Sequence, residues 1–296
     1  MDIAFNHEMR GEAEQGFEIE PGVVRLLASN ASTLTFKGTN TYLVGTNSLA
    51  VIDPGPIAQG HIEAIVKAAA GRPISDIVLT HRHIDHTEAI AELAARTGAR
   101  THAFVFARPR PLPEKSGNID SMFVPDNELA DGGTIEGDGF RLLAIHTPGH
   151  APDHLCFDLL GSGIVFSGDH IMGWNTTVIA PPEGHMGDYF ASLERLVNYP
   201  CRLYLPGHGE MIEEPQRMAR AYIVHRRIRE TAILEALRQG TEQIPPIVAA
   251  LYRTADQKVA AAASLSVFAH LLHLRGRGLV SCSGEPGLQS RFFLMR

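Results

Sequence analysis

The stretch His81-Arg82-His83-Ile84-Asp85-His86 constrains this chain more than any other. It stands between ISDIVLT (74–80), an apolar, β-branched run that reads as a buried strand, and TEAIAELAARTG (87–98), whose apolar residues recur at helical spacing. Thr87 is expected to cap that helix and Gly98 to end it. Side chains two apart on an extended segment point the same way, so His81 and His83 can grip one ion. Asp85 and His86 follow at the turn into the helix and can face a second position. Three histidines and an aspartate within six residues rarely serve structure alone.

Other donors sit at other strand ends. His150 follows Thr147-Pro148-Gly149, Asp169 follows Gly168 at the end of GIVFSGD, and His208 follows Pro206-Gly207 after RLYL. A glycine precedes each, which suits a sharp turn and a close approach of the backbone to an ion. Two divalent ions need neutral histidines plus carboxylates to offset their charge. We assign His81, His83 and His150 to one ion, and Asp85, His86 and His208 to the other, with Asp169 bridging. Open positions then remain for water. A water between two cations is largely deprotonated at neutral pH and becomes the nucleophile. Zinc is the first choice of metal, and manganese or iron also suit nitrogen and oxygen donors. Asp85 is also the candidate to accept a proton in turnover. No serine or cysteine nucleophile stands in a suitable motif.

The rest of the chain alternates strands and helices. VVRLLAS, NTYLVGT and SLAVIDPG read as strands over residues 23–55, and GHIEAIVKAAA (60–70) as a helix. RLLAIHT (141–147), then LCFDLL and GIVFSGD across Gly161-Ser162-Gly163, read as a strand and a hairpin. DYFASLERLVN (188–198) is helical and RLYLPGH a strand. Sheets covered by helices on one face imply an α+β fold, an αββα sandwich. From about residue 218 the texture changes to helices: MARAYIVHRRIRETAILEALRQG, TEQIPPIVAALYR and KVAAAASLSVFAHLLHLRGRG. GLVSCSG and SRFFLMR follow as two short strands. Three helices and a hairpin form a winged-helix pattern. The domains expected are 1–217 and 218–296.

Charge follows the same division. The net charge is −7, yet residues 218–296 hold 11 Lys+Arg against 5 Asp+Glu, and residues 1–217 hold 15 against 28. No apolar run approaches the ~20 residues of a membrane helix. The first twenty residues do not read as a secretory signal, and three widely spaced cysteines do not suggest a disulfide framework. A cytoplasmic location is expected.

HRHIDH, the TPGH around His150, the SGD ending at Asp169 and the PGH ending at His208 resemble the metallo-β-lactamase superfamily, over residues ~20–210 and in the family's order. The resemblance implies an αββα sandwich with metals at the sheet edges. True β-lactamases of the superfamily lack the bridging aspartate, which argues against that role. Glyoxalase II typically reads PGHTxGH, whereas this chain reads PGHAPDH. Flavin-linked diiron relatives carry glutamate at the position of His83. GTNTYLVG (38–45), WNTTVIAPPEGHMGDYFASLERL (174–196) and the tail with YIVHRRIRE are similar to the β-lactamase-like protein 2 group, which adds a C-terminal winged helix. Its best-known eukaryotic member is similar to single-strand endoribonucleases.

The expected activity is hydrolysis of an ester, thioester, lactone or phosphodiester. The alternatives are an endoribonuclease acting on single-stranded RNA, or a nucleic-acid-binding regulator with a vestigial metal site. The partner is a small-molecule or RNA substrate, with no membrane and a homodimer left open. Arg226, Arg227, Arg229, Arg275 and Arg277 would attract phosphates if they shared a face. Tyr222, Tyr252, Phe268, Phe292 and Phe293 are expected mostly in the core. Four residues stand as supporting or substrate-contacting candidates: His154, four after His150; Trp174, the only tryptophan; His185, in a Pro/Gly loop; and Asn40, at a strand start. Thr41 and His170 are weaker ones. His146 is expected to pack beneath the site. His7, His61, His102, His225, His270 and His273 are expected to be structural or exposed.

Overall fold

The computed structural model describes residues 3–105, 119–120, 123–252 and 257–295. Arg253, the last residue of TEQIPPIVAALYR, lies outside them.

Two sheets meet face to face. The first has seven strands in the order β1(Phe17–Glu20), β2(Val23–Leu27), β3(Asn40–Val44), β4(Leu49–Ile52), β5(Ile74–Val78), β6(Arg100–Phe104), β7(Asn127–Leu129). Pairing is antiparallel from β1 to β4 and parallel from β4 to β7. The second follows the order β12(Leu203–Pro206), β11(Ile164–Gly168), β10(Leu155–Leu159), β9(Phe140–His146), β8(Thr134–Gly137). Only β11 and β12 are parallel there.

The two-residue period of the strands decides which side chain faces which layer. Tyr42, Val44, Ala50 and Ile52 join Phe157, Ile164, Phe166, Leu203 and Leu205 in the core between the sheets. The intervening Leu43, Leu49 and Val51 face outward onto α1(Gln59–Ala69) and α3(Ile90–Thr97). Val165 and Tyr204 likewise face α4(Met186–Val197) and the start of α5(Pro215–Arg238). All four residues of β4 are buried, each leucine-, valine- or isoleucine-sized side chain contributing roughly 1.5–3 kcal/mol. The architecture is the αββα sandwich.

A smaller helical unit follows. The end of α5, α6(Ile244–Leu251), α7(Gln257–Gly276) and the hairpin β13(Val280–Cys282)–β14(Phe292–Leu294) enclose their own core around Ile233, Leu237, Ile247, Val267, Leu271 and Phe292. Pro245 and Pro246 lie in the first turn of α6, where a missing N–H costs no intrahelical bond. α5 is one unbroken helix. Ala219 and Tyr222 near its start pack with α4, and Ile233 and Leu237 near its end pack in the second unit.

Among the described residues no helix is long and apolar enough to cross a membrane. Cys156, Cys201 and Cys282 are free thiols.

Candidate metal centre

Local structure delivers the first four donors. The chain leaves β5 at Val78, bends at Thr80 and is extended at His83, whose φ and ψ are −68° and 142°. A single helical turn, α2(Ile84–Thr87), follows and carries Asp85 and His86 inward. The expected helix therefore begins three residues early, and Thr87 does not cap it. The Thr87 hydroxyl donates back to the His83 carbonyl at 3.2 Å, closing the turn. The chain breaks at Glu88 and Ala89 before α3, and Gly98 ends α3 in the left-handed region.

Sheet pairing delivers the rest. β11 and β12 run parallel with Gly168 beside Pro206, so Asp169 and His208 emerge side by side. Gly207 N donates to Gly168 O at 2.9 Å. A Cβ on Gly207 would lie 2.4 Å from Asp169 Oδ1 and 2.9 Å from His86 Cε1. Glycine is needed there because two donors occupy the space of a side chain.

All seven expected donors converge. Donor atoms of His81, His83, His150 and Asp169 form one group and those of Asp85, His86 and His208 a second, each within 4.8 Å. In the first, His83 Nδ1 lies 2.9 Å from His81 Nε2 and 3.1 Å from His150 Nε2. In the second, Asp85 Oδ2 lies 3.3 Å from His208 Nε2 and 3.5 Å from His86 Nε2. Asp169 stands between them. Its Oδ1 is 3.6 Å from His86 Nε2, and its Oδ2 is 3.4 Å from His208 Nε2 and 3.7 Å from His150 Nε2. Tetrahedral donors about 2.1 Å from a zinc ion stand about 3.4 Å apart, so these separations suit one cation within each group.

The outer nitrogen of each histidine faces an acceptor. His86 Nδ1 donates to Asp53 Oδ2 at 2.9 Å, His150 Nδ1 to Val178 O at 2.8 Å and His208 Nδ1 to Gly38 O at 3.2 Å. The Thr80 hydroxyl donates to Asp53 Oδ2 at 2.7 Å, so it accepts from His81 Nδ1 at 2.9 Å. His83 Nε2 lies 3.6 Å from Glu183 Oε2. Such partners set the tautomer and leave the inner nitrogen bare for a cation. Asp53 and Glu183 went unnoticed in the sequence. Asp53 ends an apolar strand just before Pro54-Gly55, the same context that marks Asp169, and that was the available signal.

Charge agrees with the geometry. Burial lowers His150 to about 4 and, with the rings of His86 and His83, holds His81 well below the usual imidazole value. Burial alone would also lower His86 and His208. The carboxylates of Asp85 and Asp169 outweigh it, raising His86 well above that value and His208 to about 10. Protons there hold the place that cations would take. Among the described residues, His86 Nε2 and Asp169 Oδ1 are buried with no hydrogen-bond partner, which costs free energy unless another group satisfies them. His83 and Asp85, with side chains 19% and 28% exposed, mark where the centre opens. The cluster suits divalent metal ions.

The other candidates divide. His154 Nε2 accepts from Asp169 N at 3.1 Å and so braces the bridging residue. Asn40 is buried, and its Nδ2 donates to Pro206 O and Gly209 O, holding the loop of His208. Trp174 stacks on Phe36 at 4.9 Å and packs on Gly209, next to His208. His185 is exposed, and its Nδ1 caps α4 by accepting from Asp188 N, while its N–H donates to Gly149 O beside His150. His170 is buried behind His154, 5.7 Å away between ring centres. His146 does not pack beneath the site. The period of β9 turns it toward the opposite sheet, where it stacks on Phe104 at 4.2 Å.

The five arginines do not all stand on one exposed face, because Arg226 is buried, while Arg227 and Arg277 line one pocket. Arg226 is buried against Thr177 O and lies over Tyr189. Arg227 and Arg277 pair with Glu194 and Glu230, and Arg229 lies over Tyr252. Helical geometry sets Arg227 apart from Arg226 and Arg229, which are three residues apart and share a face of α5.

Comparison with known proteins agrees. Residues 34–208 match the metallo-beta-lactamase superfamily, and residues 244–287 match the beta-lactamase associated winged helix domain. A beta-lactamase-like protein 2 homolog of Drosophila melanogaster is 31% identical over 270 residues, 88% of this chain and 90% of that protein. An atrochrysone carboxyl ACP thioesterase of Aspergillus fumigatus is 32% identical over 226 residues, 74% of this chain and 66% of that protein. The chain spans about two thirds of the length of several such fungal relatives. A metallo-beta-lactamase family protein of Thermus thermophilus shares the fold with a TM-score of 0.77 at 24% identity, over 94% of this chain and 100% of that one. From its donors, its sandwich and these matches, the chain belongs to the metallo-beta-lactamase superfamily.

Proposed function

We propose that the chain is a dinuclear metal-dependent hydrolase, with thioesters the first substrate class, esters and lactones beside them as other acyl compounds, and phosphodiesters as the phosphoryl alternative. One observation carries the reading: five histidines present a nitrogen to the centre while the other nitrogen faces a fixed acceptor. His81, His83, His150 and Asp169 would hold one cation. Asp85, His86, His208 and the shared Asp169 would hold the other, with zinc ahead of manganese or iron. Bound there, two cations supply a water of lowered pKa and polarise the substrate oxygen.

The chain's own residues do the rest. Asp85 turns Oδ2 toward His86 and His208, which leaves Oδ1 to take the proton of the attacking water. Asp53, Val178, Gly38 and Glu183 keep the histidine rings aimed, so little reorganisation is needed when charge develops. The fungal thioesterase relative supports a thioester. Of the arginines that could meet RNA phosphates, Arg226 is buried against Thr177 O, and Arg227 and Arg277 are paired with Glu194 and Glu230, which weakens the RNA alternative.

Elemental analysis of the purified chain and a turnover screen over thioesters, esters, lactones, phosphodiesters and single-stranded RNA test this. The expected result is about two divalent ions per chain and thioester cleavage, both abolished in Asp169→Ala and His81→Ala. Activity that survives both substitutions sinks the metal-dependent mechanism. RNA cleavage without thioester turnover replaces the substrate class.

A further inference from the structure

A buried line of hydrogen bonds runs from the amino-terminal segment to the metal centre. Glu14 Oε2 lies 2.6 Å from His61 Nδ1, His61 Nε2 lies 2.9 Å from Thr41 Oγ1, and Thr41 Oγ1 donates to Asp53 O at 2.6 Å. His61 and Thr41 are fully buried. A carbonyl only accepts, so the Thr41 hydroxyl proton goes to Asp53 O, and Thr41 must accept from His61 Nε2–H. His61 Nδ1 then faces a carboxylate across 2.6 Å, and a second proton lies between them. Glu14 and His61 therefore share a proton, between a fully buried ring and a carboxylate that is 25% exposed.

The line holds a turn. A Cβ on Gly55 would lie 3.1 Å from the His61 ring, so the imidazole packs flush against Asp53-Pro54-Gly55. Gly55 N donates to His86 O, and Ala89 N to Gly55 O. The Asp53 carboxylate accepts from Thr80 N, the Thr80 hydroxyl and His86 Nδ1. Both ends of the line are non-glycine residues in the left-handed region, with φ of 59° at Glu14 and 50° at Asp53. Each costs roughly 1–2 kcal/mol and persists only where its surroundings hold it. Glu14 is itself pinned, donating through its N–H to Leu27 O and accepting from Ser29 N.

We propose that Glu14 is a positioning residue of the metal centre, acting through His61 and Thr41 to hold the turn that aims Asp53 at His86 and Thr80. The inference rests on the metal-binding reading above. It concerns a residue outside the segment that matches the family, residues 34–208.

The test uses the full chain, zinc chloride titrated against a chromophoric chelator, and the absorption spectrum of the cobalt(II) form. Glu14→Ala and Thr41→Val are each expected to weaken zinc binding roughly tenfold and to shift the cobalt spectrum. The double variant should bind no worse than the weaker single, because it cuts one line twice. Glu14→Gln keeps the side chain's size and its bond to Ser29, which guards against a folding defect in Glu14→Ala, and it should show the same direction of change. Glu18→Ala, on the exposed face of β1, should match wild type. Zinc affinity and cobalt spectra unchanged in Glu14→Gln and Thr41→Val overturn the proposal, as do losses that multiply in the double variant. A wild-type chain that takes up no zinc overturns the metal reading and this inference together. Uptake by wild type with unaltered variants overturns this inference alone.

Discussion

At the scale of single residues, the centre is held from behind by groups that never touch it. Glu210, two residues past His208, shows how. It is buried between Arg25 Nη1 at 3.0 Å and Arg10, whose backbone N–H and guanidinium both donate to it. Burial alone would raise its pKa, but the Arg10 N–H, the Arg25 charge and the Arg10 guanidinium bring it from 4.5 down to about 2. A folded value below the unfolded one means the stabilisation is complete above pH 4.5 and drains away as the pH falls toward 2. Glu210→Gln should therefore be less stable at pH 7 by roughly 2–3 kcal/mol. Between pH 5 and 3 its urea midpoint should fall less steeply than that of wild type. Parallel midpoints across that window would show that the carboxylate carries no such linkage. Arg10 and Arg25 lie 200 and 185 positions from Glu210 in sequence, and no local pattern announces the pairing; His81, His83 and His86, five positions apart at most, announce themselves.

At the scale of elements, strand ends and the glycines beside them do the positioning. Apolar alternation made β2 to β5 and β9 to β12 legible, because a strand buried on one or both faces writes its period into its own residues. β1, β6, β7 and β8 were not read. FEIE, RTHAF, NEL and TIEG are short and polar, and pairing with a neighbour rather than their own pattern makes them strands. The helix after His83 began earlier than expected, since the Thr87 bond to His83 O closes an extra turn that propensity does not show. Gly207→Ala tests the element-level claim. The added Cβ would crowd Asp169 and His86, so metal content should fall at least roughly tenfold, with a stability loss of about 1–3 kcal/mol from overpacking. Full metal occupancy in that variant, measured by elemental analysis, would show that the close approach of the β11 and β12 ends is not needed.

At the scale of the whole molecule, α5 ties the two units together. Its 24 residues span about 36 Å, and Glu230 near its middle is the polar junction. Glu230 is buried and accepts from His273 Nδ1 at 2.6 Å and Arg277 Nη1 at 3.3 Å, with His270 Nδ1 at 3.5 Å. Removing one partner of a buried charged cluster leaves the others uncompensated. Glu230→Ala should cost about 3 kcal/mol in urea unfolding and should loosen α7 before the sandwich. Hydrogen exchange that rises equally in both units would argue against a local junction.

The seven donors, the order of the layers and the winged-helix tail were decided by the sequence itself, because donor identity and hydrophobic period are properties of short stretches. The tertiary structure alone decided that Asp53 orients two ligands, that His185 caps a helix, that Arg226 is buried, and that Glu14 reaches His61. Each of those depends on which elements become neighbours, and neighbours distant in sequence leave no mark on one another's local pattern.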